Sequence, residues 1–297
     1  MAEPLLSVVV PTFNRAPSLR RLVAALGEAQ VPAGGVEIVV VDDGSADATA
    51  DVVSDAGPPF RYLLQQNSGP AAARNRGWRA ARGRIVAFTD DDTVPDRRWL
   101  VDLVEWFEAH PAAAAVGGTI RPLRPGFLAD FVQLDRLVGH GEDERGVRFL
   151  VTANAAFRRW ALELVGGFDE AFPSAAAEDT DLSFRLRAGG VALHTCPAAV
   201  VLHDHRTPPA QLMRTYFKHG RGFEALACNH PGIGADPARR MATPAYWRGR
   251  YRRYRDEGSV GRGRSLAYLG LRAVGVASFT LGLATARRAA APGTYVR

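Results

Sequence analysis

The chain has 297 residues, 47% of them hydrophobic and 23% charged, with a formal net charge of +6. That length provides ample core for one large or two small domains. Its two cysteines, Cys196 and Cys228, exclude both a disulfide framework and a cysteine-built zinc site, and they read as small packed residues.

The charge is unevenly spread. From Arg206 onward there are 17 Lys+Arg against 4 Asp+Glu, a net of +13, which leaves the front of the chain at −7. Lys218 is the only lysine in that tail. An arginine excess with abundant Ala and Gly follows from a GC-rich genome, but such a bias acts on both parts alike and does not explain the asymmetry. Met1-Ala2-Glu3-Pro4 runs straight into a strand-like stretch without the basic region, apolar run and cleavage site of a signal peptide, so a cytosolic start is expected.

Leu5–Val10 reads as a first strand, closed by Pro11-Thr12-Phe13-Asn14-Arg15. Pro17–Ala29 has helical spacing in Leu19, Leu22, Val23 and Leu26, with Pro17 suited to a first turn. Val36–Val41 is a nearly continuous apolar run, as in parallel strands buried on both faces. Asp42-Asp43-Gly44-Ser45 follows, and Ser45 or Asp47 is placed to cap the next helix, to about Asp55. Tyr62–Leu64 is a short strand, Gln65–Pro70 a loop, Ala71–Ala81 a helix and Ile85–Thr89 a fourth strand. This alternation predicts a mostly parallel α/β sheet, in which ligands bind beyond the carboxyl ends of the strands. Those ends carry Pro11–Arg15, Asp42–Ser45, Gln65–Gly69 and Asp90–Asp92, all polar and all expected on one edge.

Asp90-Asp91-Asp92 has two readings. Three adjacent carboxylates repel one another unless a cation sits among them, and oxygen ligands suit Mg²⁺ or Mn²⁺, which also bind diphosphate. The alternative is an acidic start to the helix near Asp96–Ala109. No G-x-G-x-x-G follows the first strand and no P-loop exists, so diphosphate binding would have to come from a metal.

The second half is less regular. Ala113–Ile120 reads as a strand, Gly126–Val138 as a helix, Gly139–Arg148 as a polar loop and Phe149–Phe157 as a strand. Glu178-Asp179-Thr180-Asp181 opens an amphipathic helix closed by Gly189-Gly190, and Val191–Thr195 and Ala198–Leu202 are strand candidates ending in His203-Asp204-His205. Gln211–Cys228 reads as a helix, Asn229–Pro244 as a loop or linker, and Tyr246–Arg255 as a basic, aromatic run. Ser265–Ala286 reaches the length of a membrane span only by including Arg272. A basic amphipathic segment on an anionic membrane, or a helix packed on the protein body, are the other readings. Trp99, Trp106 and Phe107 recur at helical spacing and read as core.

Taken together, these landmarks resemble the family 2 glycosyltransferases, inverting enzymes of GT-A fold. The resemblance covers about Ser7 to His205 and rests on six stretches in order: Ser7–Arg15, Val41–Ser45, Asn67–Gly77, Asp90–Asp92, Gly166–Glu170 and Glu178-Asp179. It implies an α/β fold with a GT-A-type, mostly parallel sheet over residues 1–206 and a basic, mainly helical extension over 207–297. It implies a donor-binding set of Pro11, Thr12, Asn14, Arg15, Asp42, Asp43, Asn67, Gly69, Arg74, Asp90 and Asp91, with Asn154 a further acceptor or diphosphate contact. Asp90 and Asp92 match the outer members of the D-x-D motif, Asp92 as metal ligand and Asp90 on the ribose side. A histidine at a similar place completes the metal shell in some relatives, which makes His203 the candidate here, with His205 the less favoured alternative. Asp179 matches the catalytic base, with Glu178 beside it. Structural alternatives stand for each: a turn at Asp43, a helix cap at Glu178-Asp179, a solvated charge at Arg74 and an ordinary strand-end histidine at His203.

The function implied is metal-dependent transfer of a hexose from a nucleotide sugar, with UDP the default, to a glycan or lipid-linked acceptor in cell-envelope synthesis. A cytoplasmic location, peripheral on the inner face of the plasma membrane through the basic tail, goes with it. The alternatives are a nucleotidyltransferase, although Pro11–Arg15 has no glycine, and a non-catalytic nucleotide-sugar-binding subunit. Nucleic-acid binding through the Trp247–Arg255 stretch is weaker still.

Overall fold

The computed structural model describes residues 3–144, 146–172, 176–205, 208–233, 237–258 and 260–289. The chain opens as β1 (Leu6–Thr12), α1 (Ala16–Gly27), β2 (Val36–Asp42), α2 (Thr49–Ala56), β3 (Phe60–Leu64), α3 (Pro70–Ala80) and β4 (Ile85–Phe88). Then come β5 (Thr93–Pro95), α4 (Trp99–Ala109), β6 (Ala115–Pro122), α5 (Phe127–Leu134), β7 (Gly141–Asp143), β8 (Gly146–Phe149), β9 (Ala155–Arg158), α6 (Arg159–Val165), α7 (Glu178–Ala188) and β10 (Leu193–His203). The rest is helical: α8 (Pro209–Asn229), α9 (Pro237–Met241), α10 (Pro244–Asp256) and α11 (Arg262–Ala289).

Two units form. The first holds the sheet and all residues up to Asp204 except Arg124–Leu137 and Phe172–Ala177, which belong with the residues from His205 onward. Its eight-stranded sheet has the order β3-β2-β1-β4-β9-β6-β10-β5. β1, β2, β3 and β4 pair in parallel, as do β6 and β10, whereas β9 and β5 run against their neighbours. The sheet is therefore mixed but mostly parallel. The continuous apolar runs are explained by burial on both faces. Val8, Val10, Ile38 and Val40 face the core that includes Leu19, Leu22, Trp99 and Phe107, while Val9, Val86 and Phe88 face the one with Trp78, Phe157 and Leu182. Gly77 lets α3 approach the sheet, since a β-carbon there would stand 2.3 Å from Val9 Cγ1.

Four local expectations need correction. Val191–Thr195 and Ala198–Leu202 are one strand, β10, whose register slips between Cys196 and Val200 around Pro197, a residue with no N–H to give the ladder. Gly139–Arg148 is largely a hairpin: β7 and β8 pair antiparallel, with Arg145 outside the described residues. Phe149–Phe157 is broken by a 3₁₀ turn at Thr152–Asn154. α2 has Ala48 at its N-cap and no side-chain cap, and Asp47 instead accepts from the Ala16 and Thr49 N–H groups.

The second unit is organised around Asp135. Its buried carboxylate accepts from Tyr216 Oη, Tyr254 Oη and Arg272 Nη1, each at 2.7 Å, and from Arg250 Nη1 at 3.3 Å. Arg272 thus faces inward, which explains a charge within an apolar helix. α8 and α11 pack closely because glycines line the contact. A β-carbon at Gly282 would stand 2.1 Å from the Phe217 carbonyl, and one at Gly220 2.0 Å from that of Phe279. Arg262–Arg288 is long and apolar enough, by length and composition, to cross a membrane.

Candidate active site

β1, β2, β3, β4, β6 and β10 all end on the same edge of the sheet, so their carboxyl-terminal residues converge. After β4 the chain passes through Asp90-Asp91-Asp92 and pairs back on the end of β10, where Thr93 faces His203 and the Asp204 N–H donates to the Asp92 carbonyl at 2.9 Å. That return places His203 Nε2 3.4 Å from Asp92 Oδ1. Among the described residues, Asp90, Asp92 and His203 offer three ligand atoms within 4.8 Å of one another. The donor set, two carboxylates and one imidazole, suits a divalent cation, with imidazole tilting it towards Mn²⁺. A positive group already lies there, because Arg15 Nη1 is 2.7 Å from Asp92 Oδ2. His205, by contrast, is buried in the second unit and lies outside this group.

Asp91 plays a different part from its neighbours. Its buried carboxylate accepts from Thr12 Oγ1 at 2.8 Å and from Arg15 at 3.1 Å, tying β1 to the acidic turn. Burial pushes its pKa up to about 7, helped by Asp92 and Asp90 and opposed by Arg15. Burial also works against the Arg15 charge, but Asp91 and Asp92 outweigh it and hold the guanidinium more firmly protonated.

The loops beside this cluster are built from the other expected donor-binding residues. Pro11 and Thr12 close β1. Asn14 takes a left-handed backbone, φ 53°, so that its N–H donates to Ser45 Oγ while its Oδ1 accepts from the Ala46 N–H, both at 2.8 Å. Asp42 accepts from the Ser45 N–H and from Tyr62 Oη. Asp43 accepts from Gln65 Nε2, the Ser68 N–H and the Gly69 N–H at 2.7–2.9 Å, and so shapes the loop that contains Asn67. Gly69 has φ +90°, a conformation costly for other residues, and its carbonyl begins α3.

Arg74 on α3 is the link to the other half of the site. It is buried and donates to Asp90 Oδ1 at 3.0 Å and to Glu178 Oε1 at 2.8 Å, with its guanidinium over the Phe168 ring. A solvated helix charge is thereby replaced by a central one. Glu178 is buried, while Asp179 is half-buried and accepts from the Thr180 N–H at 2.7 Å. Burial, and then the neighbouring Asp179, push Glu178 up to about 7. Asp179 is also raised by burial, against the pull of Arg74.

Asn154 stands apart. It is fully buried, its Oδ1 accepts from Trp99 Nε1, and its Nδ2 donates to the Thr119 and Ala199 carbonyls. Its amide is committed to holding β6, β10 and α4 together. Sequence reasoning passed over Asn75, which donates to the Phe168 carbonyl and Glu170 and accepts from the Phe168 N–H and Trp78, locking the Gly166–Glu170 turn onto α3. It also passed over Arg21 and Asp204, paired at 3.1 Å beside Asp92. The separations, 93 and 183 residues, left no local signal for either.

The family model described as "Glycosyl transferase family 2" matches residues 7–165, more than half of the chain. The chain belongs to glycosyl transferase family 2. Among its family relatives, the pre-mycofactocin glycosyltransferase of Mycobacterium tuberculosis (strain H37Rv) is 36% identical over 235 residues, covering 76% of this chain and 48% of that protein. The validoxylamine A glucosyltransferase of Streptomyces hygroscopicus subsp. jinggangensis is 31% identical over 227 residues, 63% of this chain and 52% of the relative. The chain thus spans about half the length of the curated relatives it matches. Among solved structures, the mannosyltransferase PcManGT from Pyrobaculum calidifontis, in complex with GDP-Man and Mn²⁺, aligns with a TM-score of 0.60 at 25% identity, over 99% of this chain and 77% of that one. S. aureus TarS 1-349 in complex with UDP-GlcNAc shares the fold, with a TM-score of 0.57 at 15% identity, over 96% and 92% of the two chains. The chain therefore shares a GT-A-type α/β fold with these solved structures.

Proposed function

We propose that this glycosyltransferase is an inverting hexosyltransferase, moving a sugar from a nucleoside-diphosphate sugar to the hydroxyl of a glycan or lipid-linked acceptor in cell-envelope synthesis. One observation carries the reading: Arg74 bonds both Asp90, in a group that could hold a cation, and Glu178, which stands beside the half-buried Asp179 at the start of α7. Asp90, Asp92 and His203 would hold the cation, and the complex of PcManGT with GDP-Man and Mn²⁺ supports a divalent metal. When bound, the cation neutralises charge on the departing diphosphate. Asp43 and the loop it shapes bind the nucleoside, and Arg15 is free to turn from Asp92 to the diphosphate.

In the reaction, the acceptor oxygen forms a bond to the anomeric carbon as the bond from that carbon to the diphosphate oxygen breaks. The electron pair leaves with the nucleoside diphosphate, and the acceptor proton passes to Asp179. Arg74 holds Glu178 in place beside that base. One base opposite one leaving group gives a single displacement and inverts the anomeric centre, with no covalent sugar–enzyme species.

The test is binding and turnover across a panel of UDP-, GDP- and dTDP-sugars, with and without Mn²⁺. The expected result is one donor bound only with metal, binding lost in Asp92→Ala, and binding kept without turnover in Asp179→Asn. Failure of every nucleotide sugar to bind under any metal condition overturns the reading.

A further inference from the structure

α11 has two unlike faces. One is committed to the second unit: Arg272 on Asp135, Gly275 against the Tyr216 ring, and Gly282 on the Phe217 carbonyl. The other carries Leu266, Val274 and Leu281, exposed by 60, 56 and 60%, together with exposed Ala273, Ala277 and Ala284. No charged side chain interrupts this outer stripe, which runs about 27 Å at 1.5 Å per residue. Both its ends are basic. Arg262 lies one turn before Leu266 and Arg288 one turn after Ala284, so both fall on the stripe's own face, and both are exposed.

We propose that this face of α11 docks in the interfacial plane of an anionic lipid bilayer, apolar stripe inward and Arg262 and Arg288 on the lipid phosphates. The charge argues for this occupant over a second copy. Self-association through the stripe would bring together two tails that each carry a net charge of +13 from Arg206 onward. It also argues against a span. α8 lies along the middle of α11, with Gly220 on Phe279 and Met213 accepting from Ser278. Exposed Arg214, Lys218 and Arg221 on α8 would therefore be carried to the depth of the hydrocarbon core. A helix that lies flat keeps them in water and still buries the stripe. The proposal is independent of the sugar-transfer reading.

The full chain is floated with phosphatidylcholine vesicles and with vesicles of phosphatidylcholine and phosphatidylglycerol. The expected result is binding to the anionic vesicles about tenfold or more tighter than to the neutral ones, weakened by salt. Leu266→Glu/Val274→Glu/Leu281→Glu abolishes binding. Arg262→Gln/Arg288→Gln lowers the anionic preference about tenfold, with the stripe intact. Circular dichroism checks both folds, and Leu281→Ser alone, a milder change at an exposed position, weakens binding in the same sense. Three outcomes overturn the proposal: no preference for anionic vesicles, insertion that resists alkaline carbonate, or a dimer in lipid-free solution that the triple variant dissolves.

Discussion

Arg74 donates to Glu178 Oε1 at 2.8 Å, and the two side chains are 5 and 4% exposed. The pair joins the middle of α3 to the start of α7 across 104 residues. Removing one partner of a buried pair leaves an uncompensated charge, so Arg74→Ala is expected to cost about 3–5 kcal/mol, read as a lower midpoint in chemical denaturation. Glu178→Gln is expected to cost less, because burial already pushes Glu178 up to about 7 and an amide resembles its neutral form. An Arg74→Ala variant as stable as wild type would show that the pair does not hold the two helices.

Arg15 and a cation claim the same carboxylate. Arg15 Nη1 lies 2.7 Å from Asp92 Oδ2, so its positive charge opposes a metal held by Asp90, Asp92 and His203. Arg15→Ala is therefore expected to bind free Mn²⁺ several-fold more tightly and the nucleotide sugar less tightly, measured by titration calorimetry. His203→Ala is expected to weaken Mn²⁺ more than Mg²⁺, since imidazole favours the softer ion. Equal losses for the two metals would remove His203 from the ligand set.

Much of this site was legible beforehand because its residues cluster at strand ends. The runs Leu5–Val10 and Val36–Val41 placed β1 and β2, although β1 continues to Thr12, and the polar residues after them had to share an edge. The acidic triplet lies at such a strand end, and Asp90 and Asp92 form with His203 a group that could hold a cation. Two kinds of feature were not legible. Asp42, Asp91 and Asn154 are polar residues that hold loops and strands together, and nothing in their local sequence separates that duty from ligand binding. The two-faced character of α11 was also hidden, because Arg272 reads as an interruption until Asp135, 137 residues earlier, is seen to receive it.

The two neighbouring carboxylates Glu178 and Asp179 set a pH dependence. Burial raises both Glu178 and Asp179 above the ordinary carboxylate range. A raised carboxylate keeps its proton to higher pH, and only the ionised form accepts one from the acceptor hydroxyl. Turnover is thus expected to fall on acidification while the pH is still above the ordinary carboxylate range, tenfold per unit at the steep limb, with donor binding changing less. A rate that stays flat until the pH enters the ordinary carboxylate range would rule out Asp179 in this environment as the base.

Gly167 is expected to tolerate no side chain. Its φ is +82°, and a β-carbon would stand 2.4 Å from Asn75 Oδ1 and 2.5 Å from Trp78 Nε1. Gly167→Ala strains the backbone and pushes apart the bonds that fasten the Gly166–Glu170 turn to α3, at about 1–3 kcal/mol. Gly35→Ala is the comparison: φ is +76° there, with nothing within 4 Å of the β-carbon, so it carries the backbone strain alone. The two variants should differ in melting temperature, Gly167→Ala being the lower; equal values would mean that the turn is not held through Asn75.

Glu37 should make the first unit sensitive to acid. The carboxylate is buried between β1 and β3, against which burial acts to raise its pKa. The Arg82 N–H, Ser7 Oγ, Arg61 and the Arg82 side chain all donate to it, and together they outweigh burial and hold it down at about 2. Since the folded value lies below the unfolded one, near 4.5, its contribution is complete above about pH 5 and lost as pH falls through the interval towards 2. With Arg61 and Arg82 partly exposed and screened, that contribution is about 2 kcal/mol. Urea denaturation of wild type and Glu37→Gln at pH 7, 5 and 3 should show a gap that is widest at pH 7 and narrows by pH 3. If the two curves run parallel over that range, the carboxylate charge is not what joins Ser7 on β1 to Arg61 on β3.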